Sequence, residues 1–258
     1  MIKRKTTRSG HLALMLFCLT SGPLFAAPEE IQVYMDEMNK PGEIGLDIHN
    51  TYVVSGSSNP DYPGAQAPAK VLRVTPEFSY GLTPNLELGG YILTSHTTDD
   101  RNTVDGEKVR LKFLASKTDD QLYFWGVNLE VGRVAYRLNE NPWNAELKGI
   151  FGYRNQRWTV ATNPNIAWKI SGPALSPTNF HLDSKIAYKT DFDVDLGLES
   201  YNEFGPIHHM GHFDQLSQTV FAVAGFDIQG WEFNLGVGRG LTTVSDRWLV
   251  KAIVSVPF

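Results

Sequence analysis

From residue 43 to the last residue, the chain alternates apolar and polar side chains with a period of two. In Glu43 to Ser55 the apolar set is Ile44, Leu46, Ile48, Tyr52 and Val54, while Glu43, Asp47, His49 and Thr51 take the opposite face. Successive side chains of a strand point to opposite faces, so the run predicts a strand between two different solvents. Similar stretches follow at about 70–80, 86–96, 106–115, 121–133, 143–153, 158–170, 178–189, 192–204, 216–226, 231–240 and 246–258. Twelve strands of this length each suit a tilted crossing of a bilayer.

Charge sorts with the faces. The polar faces are expected to hold Arg73, Glu77, Glu87, Lys108, Arg110, Lys112, Glu130, Glu146, Lys148, Asp183, Lys185, Asp193, Asp195, Glu199, Glu232 and Lys251, and the apolar faces no charge, with Arg133 at a strand end as the one interruption. A water-soluble sandwich rarely keeps every outward position so clean. Connection lengths alternate too: long segments such as Gly56 to Ala69, His96 to Asp105 and Asn202 to Asp214 trade places with tight turns such as Thr190-Asp191 and Asp227 to Gly230. Aromatics flank the tight turns, among them Tyr80, Tyr153, Trp158, Tyr188, Phe192, Phe226 and Trp231. Long loops on one rim, short turns on the other and aromatic girdles predict an all-β fold: a single transmembrane antiparallel up-and-down barrel of about 12 strands over residues 43–258, with the sixteen charged positions lining the lumen.

The residues before the barrel change where it must reside. Lys3, Arg4, Lys5 and Arg8 form a basic region, Leu12 to Leu19 an apolar one, and small residues follow at Ala26 and Ala27, so residues 1–26 read as a secretory signal peptide. Its loss removes four of the 23 basic residues, none of the 28 acids and the sole cysteine, Cys18, leaving a formal charge of -9 and no thiol chemistry. An acidic chain without a basic run excludes nucleic acid as the partner. Residues 27–42, where Ile31, Val33 and Met35 alternate with Gln32, Tyr34 and Asp36, are expected to form a periplasmic or plug-like segment.

The last strand puts Trp248, Val250, Ala252, Val254, Val256 and the terminal Phe258 on one face. It resembles the C-terminal assembly signal of Gram-negative outer-membrane barrels. That resemblance implies an outer-membrane location and three partners: the barrel-insertion machinery, which would read Trp248, Val250, Val254, Val256 and Phe258, together with outer-membrane lipid and lipopolysaccharide. Within the chain, Val74 to Gly89 followed by Lys108 to Phe113 resembles the transporter family named for the meta-pathway of phenol degradation, which implies passage of small organic compounds.

Twelve strands should enclose a narrow lumen. Its charges nearly cancel, so two readings compete: an ion-pair network that closes the interior, and a selectivity track for a small polar or zwitterionic solute. The main expectation is a channel for small solutes without a cofactor. Its rivals are an outer-membrane lipid-modifying enzyme, for which no motif is evident, and a closed structural or surface-interaction barrel. His208, His209 and His212, beside Asp214 in a long connection, are candidate metal ligands without a second anchor. On the lumen assignment, Arg110→Ala leaves a folded barrel whereas Leu111→Arg impairs folding.

Overall fold

The structure, a computed structural model, describes residues 31–97, 99, 101–118, 120–172 and 177–258. The signal-peptide expectation, with residues 27–30, lies outside them. The strands are β1 (Ile44–Ser55), β2 (Leu72–Thr83), β3 (Leu86–His96), β4 (Asn102–Leu114), β5 (Tyr123–Val134), β6 (Trp143–Arg154), β7 (Trp158–Ser171), β8 (Asn179–Lys189), β9 (Asp195–Pro206), β10 (Gln218–Ile228), β11 (Trp231–Gly240) and β12 (Trp248–Val256). Each pairs antiparallel with its sequence neighbours. The pairing of β1 with β12, from Leu46↔Val256 to Ser55↔Trp248, closes the barrel. Closure leaves no unpaired strand edge.

The long and short connections fall on opposite rims, as the spacing implies. The connection after β3 is shorter than expected, because β4 already begins at Asn102 and takes up part of the polar run from His96 to Asp105. The outward wall is apolar, with Leu88, Ile92, Val109, Leu111, Leu129, Leu147 and Phe151 all exposed. So continuous a belt of exposed apolar side chains needs a partner less polar than water. Outward polar side chains satisfy themselves on nearby carbonyls: Thr94 Oγ1 donates to Val74 O at 2.6 Å, and Asn202 Nδ2 to Leu182 O at 3.1 Å. At the short-turn rim the aromatics pair across strands, Trp158 with Tyr188 at 5.0 Å and Tyr123 with Tyr153 at 5.3 Å.

The expectation of charge-free outward faces is corrected. Glu107 lies on the outward side of β4 directly opposite Arg133 of β5, and Arg239 of β11 stacks its guanidinium 4.8 Å from the Trp248 ring. All are near the long-loop ends of their strands, where long side chains reach the polar interface. Position along the strand, and not face alone, decides whether an outward charge is tolerated.

A thirteenth extended stretch is not part of the wall. Residues 31–42 enter the barrel from the short-turn rim, where Gly42 N donates to Gly81 O at 2.8 Å and Pro41 bridges Gly81. The approach demands glycine, since a Cβ on Gly81 would stand 2.1 Å from the Lys40 carbonyl oxygen. At the other end, Ile31 packs on Val53, Phe221, Val223 and Leu249. Val53 and Leu249 lie near the long-loop ends of β1 and β12, so the segment threads most of the lumen.

Candidate functional site: the charged lumen

The N-terminal segment is seated by both its backbone and its side chains. Asn163 of β7, fully buried, accepts from Tyr34 N at 2.6 Å through Oδ1 and donates to Tyr34 O at 3.0 Å through Nδ2, reproducing a strand's hydrogen bonds with one side chain. The Tyr34 hydroxyl meets Tyr91 at 2.6 Å and donates to Glu130 at 3.1 Å. Its ring is flanked by the Lys148 ammonium at 4.7 Å and that of Lys112 at 5.6 Å, within cation–π range. Nearer the rim, Asp36 pairs with Lys117 and Arg154, and Asn39 donates to Glu87 from its backbone at 2.7 Å. Lys251 Nζ donates to Ile31 O at 2.9 Å.

Apolar side chains on the inner wall receive the segment. Val33 and Tyr34 sit among Leu114, Phe124, Ile150 and Ala161. Phe124 in turn lies over Gly152, where a Cβ would come within 2.1 Å of its ring. These inward apolar positions are functional residues that face assignment alone overlooks. A signal was present: a lumen open to water has no use for Val53, Leu114, Phe124, Ile150 and Phe221 on its polar faces.

The charges expected inside fall into three groups. In the first, Arg110 bridges Glu77 at 2.5 Å and Glu87 at 2.8 Å, Lys112 stands 3.7 Å from Glu87, and His49 hydrogen-bonds Glu77 at 3.0 Å. In the second, Glu146 pairs with Lys148 at 3.1 Å, beside Glu130 and Lys108. In the third, Glu199 joins Lys185 at 3.3 Å and Lys251. Arg73 and Asp183 are also buried inside. Asp193, Asp195 and Glu232 are exposed by the short-turn rim, Asp193 in the β8–β9 turn with a positive φ of 57°. On the outward side of β12 stand Trp248, Val250, Val254 and Val256, while Phe258 lies past the strand and is exposed.

Asp47, His49 and Glu77 bring three potential metal-ligand atoms within 4.8 Å of one another, the sole such group among the described residues. The Arg110 guanidinium already occupies Glu77, and a fixed cation there opposes a metal ion. His208, His209 and His212 are exposed in the β9–β10 connection and do not form such a group. At the long-loop rim, burial pushes the Asp246 carboxyl up to about 6, with Arg73 pulling in the opposite direction.

Chambers remain beside the segment among the described residues. Two, of about 590 and 830 Å³, flank it in the short-turn half. Another, of about 230 Å³, lies beside Ile31 in the long-loop half.

No protein-family model matches the sequence, and no curated protein matches it. The narrower likeness of Val74 to Gly89 and Lys108 to Phe113 therefore gains no support. The fold has solved counterparts. The COG4313 outer membrane channel from Pseudomonas putida F1 is similar with a TM-score of 0.60 and 13% identity, covering 89% of this chain and 100% of that one. A KdgM porin in complex with disordered oligogalacturonate is similar at 0.56 and 11%, covering 83% and 99%. The NanC porin follows at 0.55 and 11%, covering 83% and 98%. At these identities the likeness is one of fold: the chain forms a twelve-stranded closed barrel similar in fold to solved outer-membrane channels and porins.

Proposed function

We propose that the protein is an outer-membrane channel for small solutes whose lumen is narrowed by its own N-terminal segment. The observation that carries this reading is the inversion of polarity: an apolar wall outside, and inside a charged, chambered lumen threaded by residues 31–42. A barrel built only as a scaffold has no need of internal chambers. The charges Glu77, Glu87, Arg110, Lys112, Glu130, Lys148, Asp183, Glu199 and Lys251, with Lys108, Glu146 and Lys185, border the chambers that a solute would enter. Small organic compounds as cargo rest on the resemblance of Val74 to Gly89 and Lys108 to Phe113 to the phenol meta-pathway transporters alone. Outer-membrane lipid, lipopolysaccharide and the insertion machinery are the partners of this reading.

Planar-bilayer recordings of the refolded protein should show discrete current steps, small in the full chain and larger when Gln32–Lys40 is deleted. Absence of steps in both forms would reject the channel. Orientation is tested separately on intact cells. A cysteine at the exposed loop residue Ser58 should react with an impermeant thiol reagent, and one at Gln156 in the short β6–β7 turn should not. The reverse pattern would place the long loops in the periplasm. Thr98, the other loop position the sequence suggests for labelling, lies outside the described residues.

A further inference from the structure

The long-loop mouth is covered by two of its own connections. Residues 135–142, between β5 and β6, fold inward, and Leu138 packs on the inward side chains Tyr91, Leu93 and Val134. Residues 56–71, between β1 and β2, pass over β3 and β4 to reach the β5–β6 connection. Gln66 N donates to Arg137 O at 2.8 Å, the Tyr62 hydroxyl donates to Tyr136 O at 2.5 Å, and the two tyrosine rings meet edge to face at 5.4 Å. Beneath this lid Gln66 Nε2 reaches Ser95 Oγ of β3 at 3.5 Å, and Ser95 is 3% exposed.

The lid hinges where it leaves β1. There the β11–β12 connection presses on Gly56, where a Cβ would stand 2.0 Å from Asp246 Oδ1, so the seat needs glycine. The Asp246 carboxylate accepts from the Ser57 backbone N–H, and Arg247 N donates to Ser55 O at 2.7 Å. The β11–β12 connection is itself fixed, because Ser245 Oγ accepts from Gln218 N at 2.9 Å and Thr242 Oγ1 donates to Leu216 O at 2.9 Å. Asp246 thus ties the start of the lid to an anchored loop.

The charge on Asp246 sets how well that tie holds. The charged groups acting on it are Arg73 of β2, which favours the carboxylate, and Asp61 of the lid, which opposes it. Lys70 and Arg247, on the flanking segments, are exposed. Burial outweighs Arg73 and the Ser57 N–H and holds the carboxyl at about 6 while the lid is seated. A released aspartate ionises at the usual value of about 3.9. The seated lid is therefore favoured as pH falls through about 6, and it loses that advantage as pH rises through the same value.

We infer that Asp246 is a pH-sensitive latch on this lid: the neutral carboxyl keeps residues 56–71 seated over the mouth, and the carboxylate loosens them at Gly56. The inference rests on the channel reading for its effect on passage, since a lifted lid uncovers the chamber of about 230 Å³ that Leu138 borders.

A cysteine in place of Ser95 reports the lid, because residues 31–258 hold no other thiol. Its rate of reaction with a bulky maleimide, divided by that of a cysteine at exposed Ser58, should be about tenfold lower at pH 5 than at pH 8. In an Asp246→Asn background, which mimics the neutral acid, the ratio should stay low at both values, and with Gly56→Ala it should be high at both. A ratio that does not change with pH when Asp246 and Gly56 are intact overturns the latch even if neither variant folds. An unaltered pH response in a folded, heat-modifiable Asp246→Asn barrel overturns it as well. Bilayer recordings on the same preparations keep the two readings apart: current steps with pH-independent labelling reject the latch alone, and pH-dependent labelling without steps rejects the channel alone.

Discussion

Asn163→Ala should turn a quiet, low-conductance barrel into one that flickers to a larger open state. The Asn163 amide holds both backbone groups of Tyr34, and it is fully buried. A buried polar group left unpaired costs about 1–3 kcal/mol, so the two together weaken the seat by about 2–6 kcal/mol. Even the lower figure shifts the ratio of seated to released segment on the order of 30-fold. The remaining anchors, the Tyr34 hydroxyl on Glu130 and Lys251 on the Ile31 carbonyl, keep the segment returning. Hence the variant should fluctuate, while the Gln32–Lys40 deletion should hold the larger state steadily. Single-channel recordings of the three proteins decide the matter. Identical conductance distributions would mean that residues 31–42 do not obstruct the path.

Arg110→Ala should destabilise the barrel about as much as a charge placed in its lipid-facing wall. This reverses the expectation drawn from face assignment, under which a lumen arginine is dispensable. Arg110 stands between Glu77 and Glu87, all three nearly inaccessible, and its stem lies over Gly89, where a Cβ would be 2.6 Å from Arg110 Cγ. Removing one member of a buried ion group leaves uncompensated charge and costs about 3–5 kcal/mol. Lys112, His49 and Asn39 soften the loss by holding the same carboxylates, which favours the lower end. Leu111→Arg, one residue along and facing outward, should cost about 2–4 kcal/mol. Replacing the group as a whole, by Glu77→Gln, Glu87→Gln and Arg110→Met together, should recover most of the stability, since no charge is then stranded. Urea unfolding in detergent micelles would report all three. An Arg110→Ala barrel as stable as the unmodified one would show that water, and not the protein, solvates Glu77 and Glu87.

Some of these ion pairs are legible from strand order. Lys185 and Glu199 stand opposite each other on neighbouring strands, as do Lys112 and Glu87, and inward spacing alone brings them to one band of the lumen. The Arg110–Glu77 pair is not legible in this way, because it reaches from β4 across β3 to β2. Only the curvature of a closed, narrow barrel brings second-neighbour strands within a side chain's length.

The alternation of side chains by itself determined the twelve strands, their inward and outward faces and the two kinds of rim. A strand exposed to lipid on one side and to polar groups on the other must carry that contrast at every second residue. The same alternation runs through Ile31 to Asp36, yet this stretch is enclosed on all sides: Val33 and Tyr34, which would face opposite ways in a wall, are both buried. Nothing local separates a strand in the wall from a strand inside it. What decides is the set of distant residues that can complete its hydrogen bonds and cover its side chains, here Asn163, Glu130 and Lys251 with Phe124, Ile150 and Phe221. Those partners come from five different strands, and they converge on one segment only because the barrel closes around it.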